Sequence, residues 1–440
     1  MSLARNIAIF VVTVSLVTFV AFFGRLPAFR NTPIGFVHRL LVIHIPSTLR
    51  TIDLKLTNGR ITNGSARLGR KLMYDKHPVV VIFFLGLVTA SAGLFVPEIW
   101  KYLPLHHKLL IPLLLPQPYL FTYLSARKNN ETYITQLNHA AQMRHYPYDR
   151  ILYYPGNTCS TCKFLKPARS KHCSICKTCV SRMDHHCVWV NNCLGRGNYK
   201  WFLALLLSTT ILLAYGAYLA YTVLTPGVNE HYKKYEPWYR YQINRGSDPA
   251  AWSSYFDMKL HYFLIYVGIY LEIGGLSASG VGLLASLTWP LPLGLLAYHI
   301  YLIWAGMTTN ESSKWSDWKD DMAEGVVFLG HRREETMRDY HPVSTVARTL
   351  QESSSSSASS SPIPTPPETP QEDEEPPTTW PLESRHILVR TLNGQPPHSL
   401  PSRLRSVAKD VGTFERVWSL NAVENVYDLG FLDNFKEILN

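Results

Sequence analysis

The chain has 440 residues, 46% of them hydrophobic and only 17% charged, with 43 Lys and Arg against 32 Asp and Glu. Several of its apolar runs approach or exceed the length that crosses a bilayer, which excludes a simple soluble enzyme. The net charge of +11 does not call for nucleic acid, because much of it flanks apolar runs, where the positive-inside bias places it beside anionic lipid.

The first apolar run covers residues 6–24. Arg5 and this run fit a signal peptide, but the bulky, basic FGRLPAFR follows in place of a small-residue cleavage site, so it reads as a span. A basic loop comes next. From Arg25 to Lys76 its cations are opposed only by Asp53 and Asp75, which predicts a cytosolic loop and a lumenal N-terminus. Residues 79–96 form a second span. Residues 109–125, interrupted by Pro112, Pro116 and Pro118, form a weaker third. Parity supports that third crossing: without it the cysteine-rich segment that follows would face an oxidising lumen, whereas in the cytosol its thiols stay reduced. Residues 201–224 make the fourth span. The stretch 261–307, broken by Glu272, Pro290 and Pro292, is too long for one crossing, and the usual span length places the fifth at 280–306.

The predicted fold class is a polytopic α-helical membrane protein of about five transmembrane helices, with a cytosolic two-zinc module and a partly disordered cytosolic tail. Its segments are three spans with a basic loop (1–125), a cysteine-rich module (126–200), a transmembrane hairpin with a lumenal loop (201–307) and a juxtamembrane segment (308–350). A Ser-, Pro- and acid-rich linker (351–381) follows, unable to build a core. Residues 382–440 regain apolar and aromatic residues and read as able to fold or dock. No heptad array or internal repeat is seen. Three glycosylation sequons, at Asn63, Asn130 and Asn310, all face the cytosol in this layout and are expected to carry no glycan.

All seven cysteines lie between Cys159 and Cys193, with His172, His185 and His186 among them. Cys159-x2-Cys162 and Cys173-x2-Cys176 are knuckle steps that put two thiolates on one tight turn, at a bite suited to tetrahedral zinc. Two such metals need eight ligands and ten candidates are present, so two are left over. Spacing alone does not fix the remaining pairings. In Asp184-His185-His186-Cys187 an acid, an imidazole and a thiol fall together. A thiolate is a nucleophile, an imidazole takes its proton, and a carboxylate orients the imidazole. A membrane-anchored zinc adaptor or RING-like ubiquitin ligase would need the ligands but neither Cys187 nor His185. A transporter with a zinc module would want charges inside the membrane, where only Glu272 qualifies.

The run C-x2-C, then H-C-x2-C-x2-C-x4-D-H-H-C-x5-C-x4-N-x3-F, resembles the signature of DHHC-family protein S-acyltransferases, or palmitoyltransferases. It runs from Cys159 without a gap to Asn198 and Phe202. Thr308-Thr309-Asn310-Glu311 resembles the family's TTxE motif, and Asn425 and Tyr427 its C-terminal Asn/aromatic motif. The five-span layout and the run ending CSTCKFLKPARSKHCSICK look most like the fungal endoplasmic-reticulum member that acts on SNARE proteins.

The resemblance implies two structural zinc ions, one held by Cys159, Cys162, His172 and Cys179, the other by Cys173, Cys176, His186 and Cys193. It implies that Cys187 is the nucleophile, His185 the base and Asp184 its orienting acid, with Thr309 near Asp184. The co-substrate it implies is palmitoyl-CoA or another long-chain acyl-CoA. The acceptors are cysteines of membrane proteins such as SNAREs, and the location is the endoplasmic-reticulum membrane. Lys166, Arg169, Lys171, Arg182, Arg196 and Lys200 are candidates to face the CoA phosphates.

Overall fold

The computed structural model describes residues 32–244, 252–337 and 377–439, with a few isolated positions before residue 32. The predicted span at 6–24 and most of the linker, 351–376, lie outside the described residues.

In chain order, a helical segment over Pro33–Arg39 and a π-helical turn Leu40–His44 lead into α1 (Ile45–Thr57), then α2 (Arg60–Tyr74) and α3 (Val79–Trp100). Helices α4 (Leu105–Leu114) and α5 (Gln117–Ala126) follow. The cysteine-rich segment carries β1 (Tyr133–Ile134), β2 (Lys171–Cys173), β3 (Thr178–Val180), β4 (His186–Cys187) and β5 (Asn192–Cys193). Then come α6 (Tyr199–Asn244), α7 (Trp252–Gly274), a π-helical turn Gly275–Gly280, α8 (Val281–Thr288) and α9 (Pro290–Trp304). The last elements are α10 (Thr309–Ala323), β6 (Val327–His331), β7 (His386–Arg390), β8 (Glu415–Arg416) and α11 (Phe431–Leu439).

Among the described residues four helices are long and apolar enough to cross a membrane: Val79–Trp100, Leu105–Ala126, Tyr199–Tyr241 and Tyr262–Trp304. The last two are longer than the sequence indicates. The fourth helix does not stop near residue 224 but continues through Pro226 and Pro237, with non-helical angles at Tyr235. Proline removes the backbone bond of the preceding turn and bends the helix without ending it there. The fifth begins well before residue 280, because 252–274 is already helical. The segment between, expected as a lumenal loop, is therefore helix over most of its length.

The chain divides into two compact units, residues 1–120 with 205–294, and residues 121–204 with 295–440. In the first, Phe95, Ile99, Leu103, Ile111, Leu219, Leu224 and Ala278 build a core. Gly282 sits so close to Ala220 that an added Cβ would come within 2.4 Å of that residue's Cβ. Small residues of this kind let membrane helices approach closely. His107 shares a 2.7 Å hydrogen bond with the Tyr215 hydroxyl.

The second unit holds the site. One of its two three-stranded sheets has the order β1-β3-β2 and the other β7-β6-β8, all antiparallel. The tail thus folds, as its composition suggests, and it does so by pairing with the strand that follows α10. Phe328, Ile387, Val389, Leu404 and Phe414 fill one core there. Tyr146, Tyr148, Tyr153, Trp380 and Tyr427 fill another.

Candidate active site and metal clusters

Each knuckle is a turn with a left-handed residue. Lys163 (φ 61°) and Lys177 (φ 54°), which follow Cys162 and Cys176, take that conformation. The backbone N–H of Cys162 donates to Cys159 Sγ, and that of Cys176 to Cys173 Sγ, both at 3.4 Å. Beyond each knuckle an antiparallel hairpin sets a histidine opposite a cysteine. His172 of β2 faces Cys179 of β3, and His186 of β4 faces Cys193 of β5.

Turn and hairpin together close two clusters: Cys159, Cys162, His172 and Cys179; and Cys173, Cys176, His186 and Cys193. In the first, His172 Nδ1 lies 3.5, 3.4 and 3.8 Å from the three sulfurs. In the second, His186 Nδ1 lies 3.8, 3.5 and 3.6 Å from its sulfurs. Zinc–sulfur bonds of about 2.3 Å and zinc–nitrogen bonds of about 2.0 Å, at a tetrahedral angle, put neighbouring ligand atoms about 3.6 Å apart. Both clusters therefore fit one tetrahedral ion each. Each ligand of the second set stands fourteen residues after its counterpart in the first: Cys159 and Cys173, Cys162 and Cys176, His172 and His186, Cys179 and Cys193. That is an internal repeat which the sequence reading missed, and it carries the pairings that spacing within one knuckle leaves open.

Neighbouring residues of a strand point to opposite faces. His186 turns into the second cluster, and His185 turns away from it toward Asp184. The two share a 2.6 Å contact from His185 Nδ1 to Asp184 Oδ2. Asp184 is fully buried, while about a third of His185 (32%) is exposed. Thr309 clamps the carboxylate from its other side: its N–H donates to Oδ1 at 2.8 Å and its hydroxyl to Oδ2 at 2.9 Å. Burial opposes charge on both groups, but their mutual hydrogen bond outweighs it. Asp184 is held below the ordinary carboxylate value, and His185, aided also by Cys187, is pushed up to about 10. Cys187 belongs to neither cluster and is buried at the end of β4.

Two residues that the sequence does not single out complete this corner. His299 of α9 is buried and lies over the His185 ring, 5.9 Å between centroids and 25° between planes. The Tyr199 hydroxyl shares a 2.8 Å hydrogen bond with its Nδ1. Phe202 packs edge-on against both imidazoles.

The remaining motif residues hold this corner in place. Thr308 caps α10 in a capping box with Glu311. Glu311 is buried and takes two hydrogen bonds from Arg169, at 2.8 and 2.6 Å, and one from Tyr153 at 3.1 Å. Arg169 lies over the Tyr146 and Tyr427 rings. Asn198 donates to the carbonyls of Ser125 and Cys193, both at 2.9 Å. Asn425 donates to the Ala305 carbonyl at 3.0 Å and Tyr427 to that of Pro147 at 2.9 Å. Gly306 (φ 62°) packs where a Cβ would come within 2.5 Å of Asp428 Cα, so the turn between α9 and α10 requires glycine. Arg182 pairs with Glu437 of α11 at 3.1 Å. Arg169 and Arg182 are thus buried and paired with carboxylates, which removes both from the set of cations free to meet a phosphate.

Residues 153–316 match the family model for the DHHC palmitoyltransferase. Palmitoyltransferase SWF1 of Neurospora crassa is 41% identical over 437 residues, 98% of this chain and 91% of the relative. Palmitoyltransferase swf1 of Emericella nidulans is 39% identical over 447 residues, 99% and 96% of the two chains. That of Schizosaccharomyces pombe is 33% identical over 306 residues, 69% and 78%. The chain belongs to the DHHC palmitoyltransferase family. It is a protein S-palmitoyltransferase and a multi-pass membrane protein, and the adaptor, ligase and transporter alternatives fall away. The family match begins at Tyr153, whose hydroxyl meets Glu311, and ends inside α10.

Proposed function

We propose that this palmitoyltransferase works through an acyl-Cys187 intermediate, with His185 as base and Asp184 as the acid that orients it. The observation that carries this reading is the Asp184 carboxylate, held at both oxygens by Thr309 and bonded to His185 Nδ1. A ring that donates from Nδ1 keeps Nε2 as its basic atom, the arrangement that triad chemistry requires. The Cys187 proton passes to His185, and the sulfur attacks the thioester carbonyl of a long-chain acyl-CoA, palmitoyl-CoA first among them. The carbon–sulfur bond to CoA breaks and the CoA thiolate takes up the proton. A substrate cysteine then repeats the exchange on acyl-Cys187, restoring the thiol. His299 and Phe202 wall the imidazole, with Tyr199 bonded to His299 behind it, and limit how far it can swing.

Zinc in each of the two Cys3His clusters would supply folding energy and no chemistry. The module and tail face the cytosol, supported by the basic loop before α3 and by the need for reduced thiols. The membrane is that of the endoplasmic reticulum. The acceptors are cysteines beside the spans of membrane proteins, SNAREs among them, a reading supported by sequence likeness alone. None of the three sequons carries glycan, so endoglycosidase should not shift the mobility of protein made in a eukaryotic host. For Asn310 the cytosolic placement is not the only reason, since its side chain is buried and accepts from Lys171 Nζ at 2.9 Å. The deciding experiment incubates purified protein with a clickable palmitoyl-CoA analogue and maps the label. A hydroxylamine-labile adduct on Cys187 is expected; an adduct elsewhere, with Cys187 free, would sink the reading.

A further inference from the structure

The helical hairpin α1–α2, which no step of the acyl transfer uses, has a surface that fits a lipid headgroup layer. Its fold rests on one buried acid. Asp53 Oδ2 accepts from the N–H and hydroxyl of Thr62, at 2.8 and 2.6 Å, and Oδ1 accepts from Thr57. Asn58 and Gly59, both left-handed, make the tight turn between the helices. This lock consumes the hairpin's only acid. What remains outside is basic and apolar. Arg60, Arg67, Arg70 and Lys71 of α2 are exposed, and among the described residues none makes an ion pair. Ile61 (65% exposed) and Leu68 (58%) stand seven residues apart on one face of that helix. On α1, Leu49, Ile52 and Leu56 are likewise exposed.

An apolar stripe with cations along one flank (Arg60, Arg67 and Lys71) and across the helix (Arg70) is the pattern of a helix lying in a membrane surface, apolar face down among the acyl chains and its long cationic side chains reaching the phosphates. The chain also leaves the helix little room to go elsewhere. Four residues separate Tyr74 from Val79, where α3 begins, and α3 is one of the membrane-crossing helices. Four extended residues reach at most about 14 Å.

We propose that α2, steadied by α1, lies in the headgroup layer beside α3 and engages anionic phospholipid. The proposal does not depend on the assignment of Cys187, His185 or Asp184, nor on which side of the membrane the loop occupies. It is tested on the full-length protein in nanodiscs of phosphatidylcholine mixed with phosphatidylserine. A photoreactive amino acid replaces Leu68 in one preparation and Asn63, on the far side of the same helix, in a second. Intact mass after illumination reads the adducts. Lipid adducts are expected at position 68 and not at 63, with phosphatidylserine enriched several-fold over its share of the bilayer. Combining Arg60→Gln, Arg67→Gln, Arg70→Gln and Lys71→Gln with the Leu68 probe should keep the lipid adducts and lose the enrichment. Adducts to protein, whether this chain or a second copy, would assign the face to a protein contact and overturn the proposal. Lipid adducts in simple proportion to bilayer composition would remove its anionic part. Normal palmitoyl transfer by the variant would show that the surface and the active site fail separately.

Discussion

The two Cys3His clusters and the Asp184–His185–Cys187 corner use the same residue types but are held in opposite ways. Each cluster is built from within: a knuckle turn and a hairpin, both local in sequence, carry all four ligands. The corner proposed as catalytic is held from without. Its acid is clamped by Thr309 from over a hundred residues away, and His299 of α9 lies over its imidazole. Metal ligation can therefore form as soon as the module folds, whereas the Asp184–His185 pair gains its clamp and its cover only from Thr309 and His299.

The largest expected effect separates the two directly. Cys187→Ser should abolish acyl transfer while metal analysis finds both ions still bound. His172→Ala should lose metal and the folded module together, because binding and folding of such sites are coupled. If Cys187→Ser also lost an ion, the division between ligand and nucleophile would collapse.

Next in size is the strut behind the corner. Glu311→Gln leaves buried Arg169 without its counter-charge, and breaking a buried pair of this kind costs about 3–5 kcal/mol. Thermal unfolding in detergent should show it. An unchanged midpoint would mean that the pair is not desolvated as drawn.

Thr309→Val is gentler, since it removes the hydroxyl bond to Asp184 and keeps the backbone bond. Hydrogen bonds to charged groups contribute roughly 1.5–3 kcal/mol, which allows a slowing of self-acylation by about tenfold or more. Metal content and melting should barely move. A fall in stability equal to the fall in rate would make Thr309 a fold residue only.

The smallest effect contrasts two buried acids of the same unit. Asp149 Oδ1 accepts from the N–H groups of Ile151, Leu152 and Tyr153, but among the described residues Oδ2 has no hydrogen-bond partner. Burial pushes this carboxyl up to about 6, unlike Asp184. A raised carboxyl keeps its proton in the folded state after the unfolded chain has released it, so its contribution to stability falls as pH rises from about 4 to about 6. Asp149→Asn should lose that slope, measured as the difference in melting temperature between variant and parent across this range. A parallel pH dependence in both proteins would contradict the assignment.

The four long apolar helices among the described residues and the members of the two Cys/His clusters were legible in the sequence for simple reasons. A run of apolar residues needs no partner to be recognised, and a CxxC step declares its own geometry. The ends of the long helices were not legible, because tyrosine- and tryptophan-rich turns such as YKKYEPWYRYQ continue a helix past the apolar run, with Pro237 bending it. Tyr199 and His299 escaped because neither stands in a motif: each acquires its place only when α9 packs beside the module. Arg169 and Arg182 read as free cations because the carboxylates that bury them, Glu311 and Glu437, are 142 and 255 positions away.

The fourteen-residue repeat also assigns Cys187 a place. Counting on from Cys159 and Cys173, the next first-knuckle position is Cys187, but Val190, Lys200 and Leu207 occupy the other three ligand positions of that third unit. Cys187, the proposed nucleophile, thus stands at a ligand position of a unit whose other three ligands are absent. In the two finished units a cation at the centre would balance the sulfur charge. On the proposed mechanism the unit without a metal leaves that place to His185, which unlike a bound ion can pass a proton and leave the sulfur free to carry an acyl group.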